Sequence, residues 1–473
     1  MSMDGSSRDF FDVIVIGGGP GGYAAALYGA SAGLKIAVIE KDKVGGTCLH
    51  RGCIPAKELL ETARVFVSIS SAKDYGVLSS PPALDASVMQ GRKSVVVDRL
   101  HRGLEGLMRN RKISIVQGMG KLLGNNVVEV ISPDGHRQLL QSKFIILATG
   151  SKPRSIPGFT PDGSRILTSD DVLEMKAIPG RTLVIGGGAI GCEFASMLAD
   201  LGSKVTLAEV TETLLPGCDA DVSEAVAKSF RRRGIFVKTQ AQVLSHAIGD
   251  DAVAVSFVDG DSVDVDQVVV SVGRAPNSAS LFSEDVAVST DEKGYVVVDD
   301  NLRTGAKGVF AIGDLINTPQ LAHVGFAEGI FVIKQILGEK ALPVDYGKVP
   351  WCIYSFPEVA FVGLTESAAR NAGYDILVKK DPYAGNGRAI ILGETDGFVK
   401  VICEKDSSGK AGKLLGVHMV GPWVTEQLGQ AYLSVNWEAT PQEVAQFIQP
   451  HPTLSETFGE TVLALTGRGL HIG

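Results

Sequence analysis

The sequence predicts an α/β fold of two Rossmann-like domains followed by a separate α+β domain, and three observations carry that prediction. The order strand, glycine-rich turn, helix, strand occurs twice, with the leading glycines, Gly17 and Gly186, 169 residues apart. Each copy later closes on a strand that runs into a glycine turn, at residues 144–151 and again at 267–273. From about residue 349 the pattern changes to β-rich stretches followed by helical ones. An offset of that size is too long for a stacked repeat and suits two whole domains.

In the first copy the strand-like run 12–16 leads through glycines into an Ala-rich helical stretch, 22–32, and then a strand, 35–40, which makes a βαβ unit. The second copy repeats the order as strand 182–185, glycines 186–188, helix 190–201 and strand 204–209. Between them, Ala148-Thr149-Gly150-Ser151 gives way to a connector carrying Pro153 and Pro157, a domain boundary by its turn chemistry. Residues 278–348 are mixed, with a further strand and turn at 309–314. Beyond them, strands at 397–403 and 413–420 precede helices at 425–435 and 441–447, the mark of an α+β domain. At 473 residues the chain exceeds the ~250–300 at which single cores stop growing. The divisions expected are 1–150, 151–277, 278–348 and 349–473.

Composition excludes several classes. Hydrophobic residues at 45% and charged ones at 21% are ordinary for a globular chain. The net charge of -8, with no run of Lys or Arg that stands out, gives no basic surface to neutralise phosphates, so nucleic acid is not expected as a partner. The longest apolar runs, such as 145–148 and 182–185, fall far short of the ~20 residues needed to span a bilayer. Residues 1–10 show neither a secretory nor an Arg-rich targeting pattern. Six cysteines without framework spacing argue for a reducing compartment. The expectation is a cytoplasmic protein without a membrane anchor, in which any disulfide is catalytic.

Gly17, Gly19 and Gly22 form G-x-G-x-x-G between strand and helix, and Glu40 ends the next strand 23 residues after Gly17. Glycines there allow a tight turn and close approach of a pyrophosphate to the helix N-terminus, while the carboxylate accepts ribose hydroxyls. Gly186, Gly188 and Gly191 repeat the pattern, with Glu209 again 23 residues on. Two dinucleotides are therefore expected. No Arg or Lys follows Glu209 in Val210-Thr211-Glu212-Thr213 to receive a 2′-phosphate, which favours NAD over NADP at the second site.

Cys48 and Cys53 lie in Gly45-Gly46-Thr47-Cys48-Leu49-His50-Arg51-Gly52-Cys53-Ile54-Pro55-Ala56-Lys57. Their spacing puts the thiols about one helical turn apart, close enough to bridge if a helix begins between them. With no second cysteine pair, a metal site is not expected. Near the other end, His451 is followed five residues later by Glu456, which could orient the ring as a base for thiol chemistry. Gly313 and Asp314, at the end of a strand, offer an acid to a ribityl or ribose hydroxyl, and Lys57 and Glu193 could pair beside the cofactors.

These motifs resemble the dihydrolipoamide dehydrogenase family, within the flavin disulfide reductases. The resemblance spans essentially the whole chain. It rests on the Gly45 to Lys57 segment, both fingerprints, Ala148-Thr149-Gly150, Gly273-Arg274-x-Pro276-Asn277, Ala311-Ile312-Gly313-Asp314, Leu321-Ala322-His323 and His451-Pro452-Thr453-x-Ser455-Glu456. It implies a redox-active disulfide and FAD on residues 1–150, NAD on 151–277, a central domain completing the FAD site, and a C-terminal domain that forms a homodimer. FAD contacts would come from the first fingerprint and Glu40, from Gly46, Thr47 and Lys57, from Thr149, Gly150 and Ser151, from Gly313 and Asp314, and from Leu321, Ala322 and His323. NAD contacts would come from Gly186, Gly188, Ile190, Gly191, Glu193, Glu209, Gly273 and Arg274.

By the same resemblance Cys53 faces the flavin, Cys48 exchanges with substrate, Glu456 orients His451, and His451 serves the second subunit's cysteines. The implied partners are lipoyl-carrying proteins of 2-oxoacid dehydrogenase complexes or the glycine cleavage system. The chain departs from the family at His50-Arg51, where Asn-Val is usual, at Ala56 in place of Ser, and at Gln449 in place of a second His. Arg51 would add positive charge near the thiols. Glutathione reductase would want an Arg after the second βαβ strand, and mercuric reductase a C-terminal vicinal cysteine pair; this chain has neither. A docking component without turnover is opposed by the intact cysteines, His451 and fingerprints.

Overall fold

The strand β1 (Phe10–Ile16) buries Val13, Ile14, Val15 and Ile16, and β2 (Ile36–Glu40) is buried at every position. Continuous burial is what a parallel strand covered on both faces requires. The computed structural model describes residues 10–471, so the reading of the N-terminus for a targeting pattern lies almost wholly outside the described residues. The chain separates into two compact units. One comprises the residues up to Glu58, Ser87–Arg154 and Arg274–Tyr346; the other comprises Leu59–Ala86, Ser155–Gly273 and the residues from Gly347 on.

In the first unit the parallel order is Ser114–Gln117, β2, β1, Arg137–Leu147, Val309–Ala311. An antiparallel pair, Met119–Gly124 and Val127–Ile131, extends the sheet from the outer half of Arg137–Leu147. β1 is thus flanked by β2 and Arg137–Leu147, and the carboxyl ends at Ile16 and Leu147 open a crevice at the switch in strand order. Behind it, helix α1 (Pro20–Ser31) packs on helix Ala322–Ile336 through glycines. A Cβ on Gly329 would stand 2.6 Å from the Gly21 carbonyl oxygen, so the two backbones approach as only glycine permits.

The sequence reading placed no element over Ala86–Asn110, which is a 25-residue helix. Its buried positions, Met89, Lys93, Val97, Leu104 and Met108, form a narrow stripe interrupted by Gly91, Gly103 and Gly106, which weakens the periodic signal.

In the second unit a five-stranded parallel sheet runs Phe236–Lys238, Lys204–Ala208, Arg181–Ile185, Gln267–Val270, Ile166–Leu167. A three-stranded antiparallel meander, Val243–Ile248, Val253–Phe257 and Ser262–Val265, sits between its last strands in the chain. The C-terminal part is a five-stranded antiparallel sheet in the order Trp351–Ile353, Glu358–Gly363, Ala411–Gly421, Phe398–Lys405, Ile376–Pro382. Helices Val424–Asn436 and Glu456–Leu465 close its core through Leu428, Ala431, Phe458 and Val462. No helix among the described residues is long and apolar enough to cross a membrane.

Candidate active site and nucleotide clefts

The first cleft is built by glycines that leave no room for side chains. Gly17 has φ +109°, and a Cβ there would lie 2.2 Å from the Ala148 carbonyl oxygen; one on Gly22 would lie 1.9 Å from that of Gly17. Gly19 caps α1 with Pro20 next, so the unpaired first-turn N–H groups face the crevice, where an anion is stabilised. Glu40 is nearly buried, and its Oε2 accepts the Gly18 N–H at 2.7 Å while Oε1 accepts that of Asp42 at 2.9 Å.

The same glycine loop is laced to the cysteine segment. The Gly18 carbonyl accepts the Gly45 N–H at 2.7 Å. Gly46, at φ +58°, sits so close that a Cβ would meet the Gly19 Cα at 2.6 Å.

Cys48 lies within a short helix, α2 (Gly46–Arg51), and Cys53 begins the next, α3 (Cys53–Ser70). The thiols therefore meet across the Gly52 break rather than along one helix. A hydrogen bond with Cys53 and burial push the Cys48 thiol far up, and the Lys57 ammonium, one turn into α3, pulls it down. Tyr23 of α1 faces the same pair: burial, then the two cysteines, raise its phenol to about 12, so it stays protonated at neutral pH.

Arg51 does not supply the charge at the thiols that the sequence suggested. Its guanidinium pairs with Asp42 at 2.7 Å, and Lys57 is the cation acting on Cys48. His50 turns its Nε2 to the Val44 carbonyl at 2.9 Å, and His101 brings Nδ1 to the same oxygen at 3.1 Å. The two rings stand edge to face at 5.0 Å, and burial depresses the His50 pKa. Ala56 is buried in the first turn of α3.

The remaining residues expected around the flavin gather in the first unit. The Thr149 hydroxyl donates to the Asn277 carbonyl at 2.9 Å, and the Asn277 amide returns a bond to Thr149 at 3.0 Å, with Gly150 at φ +68° between strands. Ser151 donates to Asp314 at 2.5 Å. Arg274, expected at the NAD site, donates from Nε to the Ser151 hydroxyl at 2.7 Å and from Nη2 to its carbonyl at 2.9 Å, which puts it among these residues.

Sequence reasoning missed Glu328. It is fully buried, and its carboxylate accepts the Gly313 N–H at 2.6 Å, the Thr318 hydroxyl at 2.9 Å and the Tyr346 phenol at 2.9 Å. Burial raises its pKa. It fixes the turn that presents Asp314. The available signal was a lone acid inside the apolar run Val324 to Ile333, where an unpartnered charge is not tolerated. Leu321 caps that helix, Ala322 opens it and His323 is exposed.

The second unit repeats the cleft. A Cβ on Gly186, at φ +105°, would lie 2.5 Å from the Ser271 carbonyl oxygen, and one on Gly191 1.8 Å from that of Gly186. Gly188 caps the helix Ala189–Asp200 with Ile190 half-buried in its first turn, and Gly273, at φ +100°, follows the closing strand. Glu209 accepts the Gly187 N–H at 2.6 Å through Oε2, and the Thr211 N–H and hydroxyl at 2.8 and 2.9 Å through Oε1. The Gly187 carbonyl accepts the Leu215 N–H at 2.8 Å. Glu193 is buried and accepts the Tyr354 N–H at 2.9 Å. Lys57 and Glu193 fall in different units. Both clefts fit dinucleotides: each offers a side-chain-free helix N-terminus and a buried acid at the end of the second strand.

His451 and Glu456 meet as a pair. The His451 Nδ1 lies 2.7 Å from Glu456 Oε1, and Glu456 Oε2 accepts the Thr453 N–H at 2.7 Å. The ring is 77% exposed, so Nε2 is presented outward with its tautomer set by the carboxylate. Gln449 folds over Gly459, where a Cβ would meet its Cγ at 2.5 Å. Beside the pair opens a cleft of about 530 Å³ whose walls include Arg388, Trp423, Gln430, Thr453 and Ser455.

Comparison with known proteins agrees with this geometry. The sequence profile of the pyridine nucleotide-disulphide oxidoreductases matches residues 11–329, and that of their dimerisation domain matches residues 349–462. Dihydrolipoyl dehydrogenase of Bacillus subtilis is 41% identical, over 98% of this chain and 99% of its own. The enzyme of the same name from Zymomonas mobilis is 40% identical over 98% and 99%, and the mitochondrial one of pea 36% identical over 99% and 94%. Among solved structures, LpdA of Mycobacterium tuberculosis superposes with a TM-score of 0.90 at 27% identity, over 96% of this chain and 99% of that one. The HOCl-induced flavoprotein disulfide reductase RclA of Escherichia coli gives 0.85 at 28%, over 96% and 99%.

Proposed function

Because the chain belongs to the pyridine nucleotide-disulphide oxidoreductases, we propose that it oxidises protein-bound dihydrolipoyl groups and passes the electrons through FAD to NAD. The observation that carries this reading is the thiol pair, Cys48 and Cys53, laced through Gly45 and Gly46 to the first nucleotide loop. FAD would be held by Gly17, Gly19, Gly22 and Glu40, with Thr149 to Ser151 and Gly313–Asp314 along its length. NAD would be held by Gly186, Gly188, Gly191 and Glu209. The flavin supplies an acceptor for two electrons that can be returned as hydride.

The chain's own residues account for the rest. A dihydrolipoyl thiol gives its proton to Nε2 of His451, whose ring is steadied by Glu456. The match to a dimerisation domain supports a homodimer as the working form, in which the His451 that serves each cysteine pair would come from the second copy. The substrate thiolate attacks Cys48 Sγ of the Cys48–Cys53 disulfide; the S–S bond breaks and Cys53 leaves as thiolate. The second dihydrolipoyl sulfur then displaces Cys48, so the product carries the disulfide and the protein the dithiol. Cys53 heads α3, whose N-terminal dipole favours a thiolate there, and the Lys57 ammonium favours negative charge on Cys48. Tyr23, still protonated, offers a neutral neighbour that does not compete for that charge. The carriers would be lipoyl domains of 2-oxoacid dehydrogenase complexes or the glycine cleavage system.

The test is NADH formation by the purified holoprotein with dihydrolipoamide, beside NADP and beside NADPH with oxidised glutathione. Turnover with dihydrolipoamide and NAD alone is expected. A yellow protein inactive there but reducing another disulfide would replace this substrate with that one.

A further inference from the structure

The loop that follows Glu209 is held at three points. Thr211 binds Glu209 at its start; Leu215 binds Gly187 in its middle, with Leu214 packed so closely that a Cβ on Gly187 would meet Leu214 Cδ2 at 2.6 Å. At its end Asp219 caps the helix Ala220–Arg232, and its carboxylate is almost completely buried. That third point is not made by the nucleotide-binding sheet. It is made by Lys400, on the strand Phe398–Lys405 of the C-terminal antiparallel sheet.

Lys400 Nζ lies 2.8 Å from Asp219, 2.7 Å from Asp221 and 2.8 Å from Glu366, and its side chain is only 3% exposed. An ammonium has three protons, and here three carboxylates from two segments take one each. Asp219 also accepts the Glu366 N–H at 3.0 Å. Lys380 on Asp221 and Arg370 on Glu366 bring the charges into balance. His418, paired with Lys400 across the sheet, is buried and donates from Nε2 to the Leu364 carbonyl, and its Nδ1 has no hydrogen-bond partner among the described residues.

Burying such a cluster brings little net stability over an apolar packing of the same volume; its best-attested use is to fix one register. The register fixed here is that of the loop end against the sheet. We propose that Lys400 is a positioning residue for the second nucleotide: by gathering Asp219, Asp221 and Glu366 it anchors the loop 209–219, and so holds Leu214 and Leu215 closed over the Gly187 peptide. A residue of the dimerisation domain thereby sets nucleotide affinity without touching the nucleotide. The inference rests on NAD occupying the second cleft.

The experiment measures the dissociation constants of ADP-ribose and NADH for holoenzyme carrying Lys400→Met or the milder Glu366→Gln, together with hydrogen exchange at the Leu215 amide. Lys400→Met is expected to weaken both ligands about tenfold and Glu366→Gln roughly twofold, within the range such indirect couplings span. The Leu215 amide should exchange faster in step, while flavin content and bleaching of the flavin by dihydrolipoamide stay at wild-type values. Unchanged ligand affinity in a folded Lys400→Met protein overturns the proposal. If that variant does not fold, unchanged affinity in Glu366→Gln does so. Wild-type protein that binds neither ligand would instead remove the nucleotide reading beneath it.

Discussion

The two nucleotide clefts share a backbone plan and differ in what closes them. In both, the acid at the end of the second strand accepts the N–H of the glycine that lies between the first two fingerprint glycines, Gly18 or Gly187, and the carbonyl of that glycine accepts an N–H from the loop beyond. In the first cleft that loop arrives as Gly45 and Gly46, backbone on backbone, at φ +110° and +58°. In the second it arrives as Leu214 and Leu215, both buried, with Leu215 at φ +52°. Glycine lets the first loop press a helix bearing a thiol against the nucleotide turn. Leucine makes the second loop an apolar cover held by a charge cluster at its far end. The fingerprint fixes where a pyrophosphate sits, and the loop after the acid decides what happens beside it.

The largest effect that would break the comparison concerns the first loop alone. Cys48→Ser is expected to reduce dihydrolipoamide oxidation by about 10³-fold or more, since the attacked sulfur is gone, while NADH oxidation with an artificial electron acceptor survives. Steady-state rates for both reactions decide it. Loss of both together would mean that Cys48 shapes the cleft instead of exchanging with substrate.

Next come matched substitutions in the two fingerprints. Gly22→Ala and Gly191→Ala each push a methyl into a carbonyl oxygen, at 1.9 and 1.8 Å before relaxation, an overpacking that costs roughly 1–3 kcal/mol or more locally. Gly22→Ala should release flavin, read as absorbance per chain; Gly191→Ala should stay yellow and lose NADH affinity. Exchange of these two phenotypes would invert the assignment of the clefts.

The smallest effect is one of pH. Burial lowers the pKa of both His50 in the first unit and His418 in the second, so each is neutral in the fold and takes up a proton more readily when unfolded. Stability is then complete above the ordinary histidine pKa of about 6.5 and falls as pH drops below it toward the folded value. Melting temperature measured from about pH 7.5 to 5.5 should fall, and His418→Gln, which can still donate to the Leu364 carbonyl, should flatten that fall more than a change at half-exposed His50. An unflattened profile would assign the acid sensitivity to other groups.

What could be read from the sequence was whatever is encoded within a few dozen residues: the glycine spacings, the acids 23 residues on, the two cysteines, and His451 with Glu456. The two Rossmann-like units and the α+β end followed from the same local patterns, and the family profiles agree with that class. What escaped reading depends on distant partners. Asp219 and Lys400 are 181 residues apart, and nothing local marks either as buried. Glu328 acts on a turn 15 residues away through a helix that otherwise reads as plain core. Arg51 went astray for a nearer reason: its neighbours in sequence are the thiols, but Asp42 stands where its guanidinium reaches.

The double use of Gly18 has a consequence for how this chain can change length. Its N–H is tied to Glu40 and its carbonyl to Gly45, so the intervening residues form a spacer measured at both ends. Lys41, Asp42 and Lys43 are exposed, the kind of surface stretch where an inserted residue is ordinarily absorbed without harm. Here one more residue would leave both nucleotide fingerprints and the cysteine spacing intact while putting the thiols out of step with the turn that cradles the nucleotide. The exposed stretch that follows the first βαβ unit is therefore among the least extensible near it.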